Sequence, residues 1–491
     1  MKGVDILLTC DKTLMSNHHG KEFLGFGTSA PPTLLPEPIF RWLFFPKMKT
    51  NGGIPWQAPY GLRKIEAKLI DEGFNVKTVH PDYIYKFHPK VIGIYVMDPF
   101  GWGPSSTTFV GIMRTGEPYL AKYFRKLLES KAYKKAKMEG AKTIVGGPGV
   151  WQFKLNQEFM KKYGIDCVVE GEGEHKKVIE IFKMALEKKE LPHFMELKPQ
   201  ESPGIEEISE IKNPSINGLV EVGRGCPRNC KFCSVALQPL RWYPYEKIEK
   251  EIKINVEAGV RGGILHGEDI LLYGQHGVIP NEEKILKLNR LAKKYYDTIS
   301  WSHVSFAAVA TKPKLIEKVA EILLDEKQRW WGAEMGIETG SPRLMEKIMP
   351  AKAKPFKAEE YPEVVKQAAG VLTDNNMIPA CTLITGLPEE NDEDIIKTIE
   401  LIEDLRDFKS VIVPLFFVPL GKLRDKKWFR GEELNELHKE LLIKCLHHDL
   451  RWINKIANDY FKEKPFLVLL KPFYMLFTKL IEWDGKRKGV I

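Results

Sequence analysis

The chain has 491 residues, too long for one ordinary domain. With 43% hydrophobic residues it can bury more than one core, and its seven cysteines, only three of them clustered, exclude a secreted disulfide framework. A net charge of +9 suits a polyanionic partner, either nucleic acid or an anionic membrane surface.

Residues 1–190 alternate strand-like and helix-like segments, the pattern of a parallel α/β sheet. Strands are predicted at 4–9, 75–80, 91–97, 142–146 and 167–170, and amphipathic helices at 60–72, 119–137, 156–163 and 175–188. The apolar stretch at the N-terminus is too short for a signal peptide, so a cytoplasmic, reducing setting is expected. An insertion at 17–59 carries prolines at 31, 32, 36, 38, 46 and 55 that forbid a long helix, yet Phe40, Trp42, Leu43, Phe44 and Phe45 make it strongly apolar. It reads equally as a lid on the core or as a substrate or membrane contact edged by Arg41, Lys47 and Lys49. Residues 191–216, with four prolines, read as a linker.

The loop after the next extended run holds Cys226, Cys230 and Cys233, with Phe232 before the last cysteine. Three soft thiolates can hold three irons of a cubane and leave the fourth open, whereas a structural zinc site wants four closed ligands. Further strands are predicted at 219–222, 263–266, 299–304, 331–337, 380–385 and 411–418, six strand-helix units in all within a domain of 217–430. His303, on the third of these, reads as a satisfied core histidine in preference to a catalytic one, and Cys381 as a small buried apolar residue.

This loop resembles the signature of the radical S-adenosylmethionine (radical SAM) superfamily. The resemblance implies a partial (β/α)6 barrel, a 4Fe-4S cluster on the three cysteines, SAM chelating the open iron, an electron donor, and a 5'-deoxyadenosyl radical that attacks inert C–H bonds. It further implies that Glu268 or Asp269 holds the SAM amine, that Glu338, Thr339 and Ser341 serve its ribose and carboxylate, and that Gly386 shapes the adenine turn. The first domain resembles the cobalamin-binding, Rossmann-like domain found ahead of many such barrels. Its three strand-end loops, with Gly146, Gly147, Gly149, Glu170 and Gly171, are the expected cobalamin contacts, and the histidine-supplying segment of that family is absent. Cobalamin is therefore expected without a protein imidazole.

Beyond 431 the pattern is helical, ending in two apolar runs, 466–470 and 473–477, interrupted by Lys471 and Pro472. These suit a helix lying in the interface of an anionic membrane, so the enzyme is expected on its inner face. The whole pattern resembles most the archaeal tetraether ring-forming group. The resemblance implies carbon-carbon bond formation in an isoprenoid membrane lipid, with cobalamin-dependent C-methylation of a protein or small molecule as the alternative. Nucleic acid is not expected, since interleaved basic and aromatic stripes are missing outside the tail.

Overall fold

The structure, a computed structural model, describes residues 4–32, 35–114 and 116–463, together with 472, 479, 483, 486 and 487. It divides into two compact units. The first comprises Met1–Ser106, Thr115–Glu221 and Arg241–Ile264, and the second Thr107–Arg114, Val222–Leu240 and Leu265–Ile491.

The first unit is built on six parallel strands: β1 Ile6–Cys10, β2 Val76–Thr78, β3 Val91–Tyr95, β4 Lys142–Gly146, β5 Cys167–Glu170 and β6 Phe194–Glu196. They lie in the order β2-β1-β3-β4-β5-β6, with Leu8 opposite Gly93, Ile94 opposite Val145 and Val145 opposite Val168. Because successive strand residues point to opposite faces, one sequence feeds two cores. Ile6, Leu8, Ile144 and Val169 pack toward α2 Tyr60–Asp71 and α7 Lys176–Leu186. Leu7, Ile92, Val145 and Val168 pack toward α4 Tyr119–Glu129, α5 Lys131–Met138 and α6 Gln157–Tyr163. Both faces being covered, β1 is buried at every position.

Three local features depart from the sequence reading. The single helix expected over 119–137 breaks at Ser130, whose extended backbone and hydroxyl, accepting from the Tyr133 N–H, begin a new helix. In the insertion, Pro38 opens a short helix, α1 Glu37–Phe44, which buries Phe40, Leu43 and Phe44. Phe40 stacks on Tyr119 with ring centroids 4.4 Å apart, and Glu37 takes hydrogen bonds from Lys122 and Tyr123, so this part is a packed cover. Phe23, Ile39 and Trp42 stay substantially exposed on it.

The third departure is the presumed linker, which is fastened into the unit. Phe194–Glu196 forms the edge strand β6 on β5, too short for its alternation to be read among the prolines. Farther on, Lys64 of α2 donates to the Ser209 carbonyl and pairs with Glu251 of α8 Tyr245–Glu257 at 2.8 Å, both side chains being 2% exposed. Arg63 donates to the Pro214 carbonyl, and Asn255 accepts from the Ser215 N–H. Buried charges persist only when paired, so these bonds tie the segment to two helices at once.

The second unit contains the ends of six strands in sequence order. β7 Leu219–Glu221 runs into Val222, whose N–H donates to the His266 carbonyl at the end of β8 Gly262–His266. Ser302, just after β9 Thr298–Trp301, donates to Leu265, and Glu334 on β10 Trp331–Glu338 donates to Ser302. β11 Met377–Thr385 pairs in parallel with β10 and with β12 Val411–Phe416. Helices α9 Glu282–Lys293, α11 Pro313–Leu323, α14 Tyr361–Asp374 and α15 Asp392–Asp404 follow successive strands, which is the expected partial barrel. The long helix α16 Glu436–Glu463 docks beside β12, where Asp449 accepts from the Ile412 N–H. The two apolar tail runs fall outside the described residues, and none of the described helices is long and apolar enough to cross a membrane.

Candidate active site

The three cysteines follow directly from β7, on a loop whose shape is forced by close backbone approaches. Gly225 has φ +79°, and a Cβ there would lie 2.6 Å from the Pro239 carbonyl oxygen, so only glycine fits. Gly421 supports the loop from beside it: its absent side chain makes room for the carbonyls of Lys231 and Cys233. Lys231 donates its N–H to Ile348, and Lys422 donates its own to Lys231. Phe232 is half-buried between these anchors.

All three cysteines are free thiols. Burial pushes Cys226 up to about 12, with Asp269 and Glu268 adding to the effect, and Cys233 up to about 11, with Glu268 adding. Cys230 is also raised by burial, against the pull of Lys352. Thiols raised in this way hold their protons at neutral pH, and iron binding must displace them. Among the described residues no three His, Cys, Asp or Glu side chains converge on a single metal ion. A cubane spreads its thiolates over separate irons, so this donor set fits a cluster.

Arg228, which the sequence reading passed over, organises the floor of the loop. It is buried, donates from Nε to Asp269 at 3.0 Å, and donates from Nη1 to the carbonyls of Ala351, Lys352 and Lys354. Asp269 also accepts from the Ser305 hydroxyl at 2.5 Å. Of the two carboxylates expected to meet the SAM amine, Asp269 is thus committed to the fold. Glu268 is half-buried, acts on Cys226 and Cys233, and has no hydrogen-bond or ion-pair partner among the described residues.

Glu338 ends β10 with φ +66°, just past a register shift in the strand. Its carboxylate pairs with Lys352 at 2.9 Å and accepts from Thr382, and it bears electrostatically on Cys230. Burial opposes the charge on Lys352, yet the carboxylate of Glu338 holds its pKa above the usual lysine range. A Cβ at Gly336 would sit 1.8 Å from Glu338 Oε1, so a larger residue there would have to displace that carboxylate.

The other half of this motif is bonded to a neighbouring helix. Thr339 and Ser341 are buried, and their hydroxyls meet Thr398 and Asp394 of α15, while Ser341 also caps α12 Pro342–Ile348. They seat the strand end on the neighbouring helix, and Glu338 alone of the three bears on the thiols. Gly386, at φ +80°, leaves room for the Phe429 ring and donates its N–H to Glu390.

In the first unit the glycine loops are largely taken up by packing against each other. A Cβ at Gly147 or Gly149 would strike the carbonyl oxygen of Val96 or Met97, and one at Gly171 would strike Leu197. Gly146 alone has open space, its nearest neighbour being the Val169 oxygen at 4.0 Å. Glu170 pairs with Lys154. Asp98 closes the β3 loop by accepting from Trp102, Gly103 and Gln152. Gln152 gave no signal in sequence because its partner lies 54 positions away.

Residues 220–402 match the family model described as the Radical SAM superfamily. Over that stretch the chain is similar to radical SAM domains. That family implies the 4Fe-4S cluster and SAM, for which the three thiols and Glu268 are the fitting groups. Among curated proteins, the chain is 23% identical over 294 residues to a tRNA-2-methylthio-N(6)-dimethylallyladenosine synthase of Orientia tsutsugamushi, covering 57% of this chain and 60% of that protein. It is 27% identical over 296 residues to an uncharacterized methyltransferase of Pyrococcus horikoshii, covering 54% of this chain and 59% of that one. An uncharacterized protein of Methanopyrus kandleri is 28% identical over 177 residues, 34% of this chain and 31% of the other. The chain thus spans 31% to 60% of the length of these relatives.

Among solved structures, it resembles the radical SAM methyltransferase TsrM of Kitasatospora setae, with a TM-score of 0.53 at 12% identity. One such structure holds tryptophan and a SAM analogue and covers 83% of this chain and 72% of TsrM. Another holds cobalamin and a [4Fe-4S] cluster and covers 85% and 73%. At that identity the likeness establishes the α/β fold.

Proposed function

We propose that this protein is a radical SAM enzyme that methylates an unreactive carbon of a protein or small molecule. The observation that carries the reading is the gathering of three free thiols on one loop with Glu268, unpartnered among the described residues, and the Lys352-balanced Glu338, inside a barrel. Cys226, Cys230 and Cys233 would hold the cluster, and Glu268 would pair with the SAM ammonium. Lys352 and Arg228 offset negative charge beside Cys230, the one buried cysteine of the three. When bound, cluster and SAM supply the 5'-deoxyadenosyl radical.

Methyl transfer, the alternative drawn from sequence, is favoured over lipid carbon-carbon bond formation by the methyltransferases among the similar proteins, the Pyrococcus horikoshii relative and TsrM. The strand order of the first unit is one in which ligands collect at strand C-terminal ends, near Cys10 and Tyr95, which supports cobalamin there as the methyl carrier. The lipid reading keeps one support, the exposed Phe23, Ile39 and Trp42 on the insertion, which with lysines nearby suit a membrane surface.

The test is anaerobic reconstitution with iron and sulfide, followed by reduction in the presence of SAM bearing a deuterated methyl group and a host-cell extract. Methylation predicts 5'-deoxyadenosine, S-adenosylhomocysteine and a deuteromethylated product together. Deoxyadenosine and altered lipids without S-adenosylhomocysteine would instead favour lipid bond formation. No bound iron and no deoxyadenosine, even from the intact cysteine set, would end the radical reading.

A further inference from the structure

Along β10 the residues alternate in burial, and Trp331 donates to the Asn375 carbonyl at the end of α14, so the odd positions face the helices. Glu334 and Gly336 therefore face the barrel interior, Gly336 toward the Glu338–Lys352 pair. Glu334 stands four residues before Glu338, roughly 13 Å back along an extended strand. Its carboxylate meets His303 Nε2 at 3.2 Å, with side-chain exposures of 35% and 36%, and the His303 ring lies edge-on to His266 at 6.0 Å between centroids. His303, read from sequence as a satisfied core residue, is instead half-exposed against a carboxylate. The next strands place Ala380 and Val411 in register with Glu334, followed by Val413 and Leu415, none fully buried. One side of the interior is thus polar and the other apolar.

Four carboxylates sit on or just after β8 and β10. Asp269 is answered by Arg228 and Glu338 by Lys352, while Glu268 lies against the thiols. Glu334 has His303 as its one side-chain partner among the described residues, through Oε2, so no described side chain takes up Oε1. We propose that Glu334, held in orientation by His303, is the substrate-recognition residue, accepting a hydrogen bond from a protonated amine on an otherwise apolar substrate. This rests on the radical SAM reading and narrows its substrate class, since a carboxylate facing an apolar wall selects for a cationic donor and against an acid.

The test uses the reconstituted full chain with SAM bound, and octylamine, octanol and octanoate as probes in anaerobic calorimetry. Octylamine is expected to bind about tenfold or more tightly than either other probe, as a charge-assisted hydrogen bond implies. Glu334→Ala should abolish that preference, Glu334→Gln should reduce it, and His303→Ala should fall between wild type and Glu334→Ala. Equal binding of the three probes, preference for octanoate, no binding of any, or a preference that survives Glu334→Ala would each overturn the proposal. Iron content and deoxyadenosine release, measured on each variant, report the cluster and SAM separately. Loss of these in wild type sinks the radical reading, whereas their presence with no amine preference sinks only this one.

Discussion

At the scale of single residues, Gly336 and Lys352 matter because each controls the carboxylate of Glu338. A Cβ at position 336 would lie 1.8 Å from Glu338 Oε1 and 2.6 Å from Lys352 Nζ. Gly336→Ala must displace one of them at a cost of about 1–3 kcal/mol, and is expected to weaken SAM binding by about tenfold in equilibrium dialysis. Lys352→Met leaves Glu338 buried without its cation, and should lower stability to urea by about 3–5 kcal/mol, with Lys352→Arg recovering part of it. Unchanged denaturation of Lys352→Met would show that the pair is not what balances the site. The motif Gly336 to Ser341 was legible as a motif, but its division of labour was not. Thr339 and Ser341 look like ligand contacts in sequence and turn out to bond α15, because their partners lie more than fifty positions away.

Among the elements, α16 shows how a helix recognised only as helical is fixed in place. His448 lies against Ser410 at 2.8 Å, and burial lowers its pKa to about 4. The fold therefore holds it neutral, while in the unfolded chain it takes up a proton near pH ~6.5. Stability should fall as pH drops from about 6.5 toward 4, with no further loss from this group below that. The neighbouring Asp449, whose carboxyl is raised by burial, slopes the other way across part of this range. Comparison with His448→Gln isolates the histidine: chemical denaturation between pH 4 and 7 should show a shallower acid-side decline in the variant. An identical pH profile would mean the imidazole is not held neutral by the helix contact. The same lesson applies to residues 191–216, where prolines suggested a spacer and the bonds from Lys64 to Ser209 and from Arg63 to Pro214 show a fastened segment.

For the molecule as a whole, the two units carry separable expectations. Removing cobalamin from the growth medium and purification should abolish transfer of the deuterated methyl group while leaving 5'-deoxyadenosine formation at the barrel. Full methyl transfer by cobalamin-free protein, checked by cobalt analysis, would assign the first unit another role. The alternating α/β pattern was readable throughout, because strands buried on both faces leave continuous apolar runs and strand ends carry glycines. The three-residue edge strand and the break at Ser130 were not, since neither changes hydrophobic periodicity.

The amino-acid order by itself determined the cluster loop, since three thiols within eight positions share one loop wherever the chain goes, and likewise the succession of strands and helices, which local periodicity dictates. Only the tertiary structure decided which carboxylates are engaged: Asp269 by Arg228, Glu338 by Lys352, and Glu334 by His303. The physical reason is that a charge's role depends on what neutralises it across space, and those partners come from separate loops and strands whose approach is set by packing.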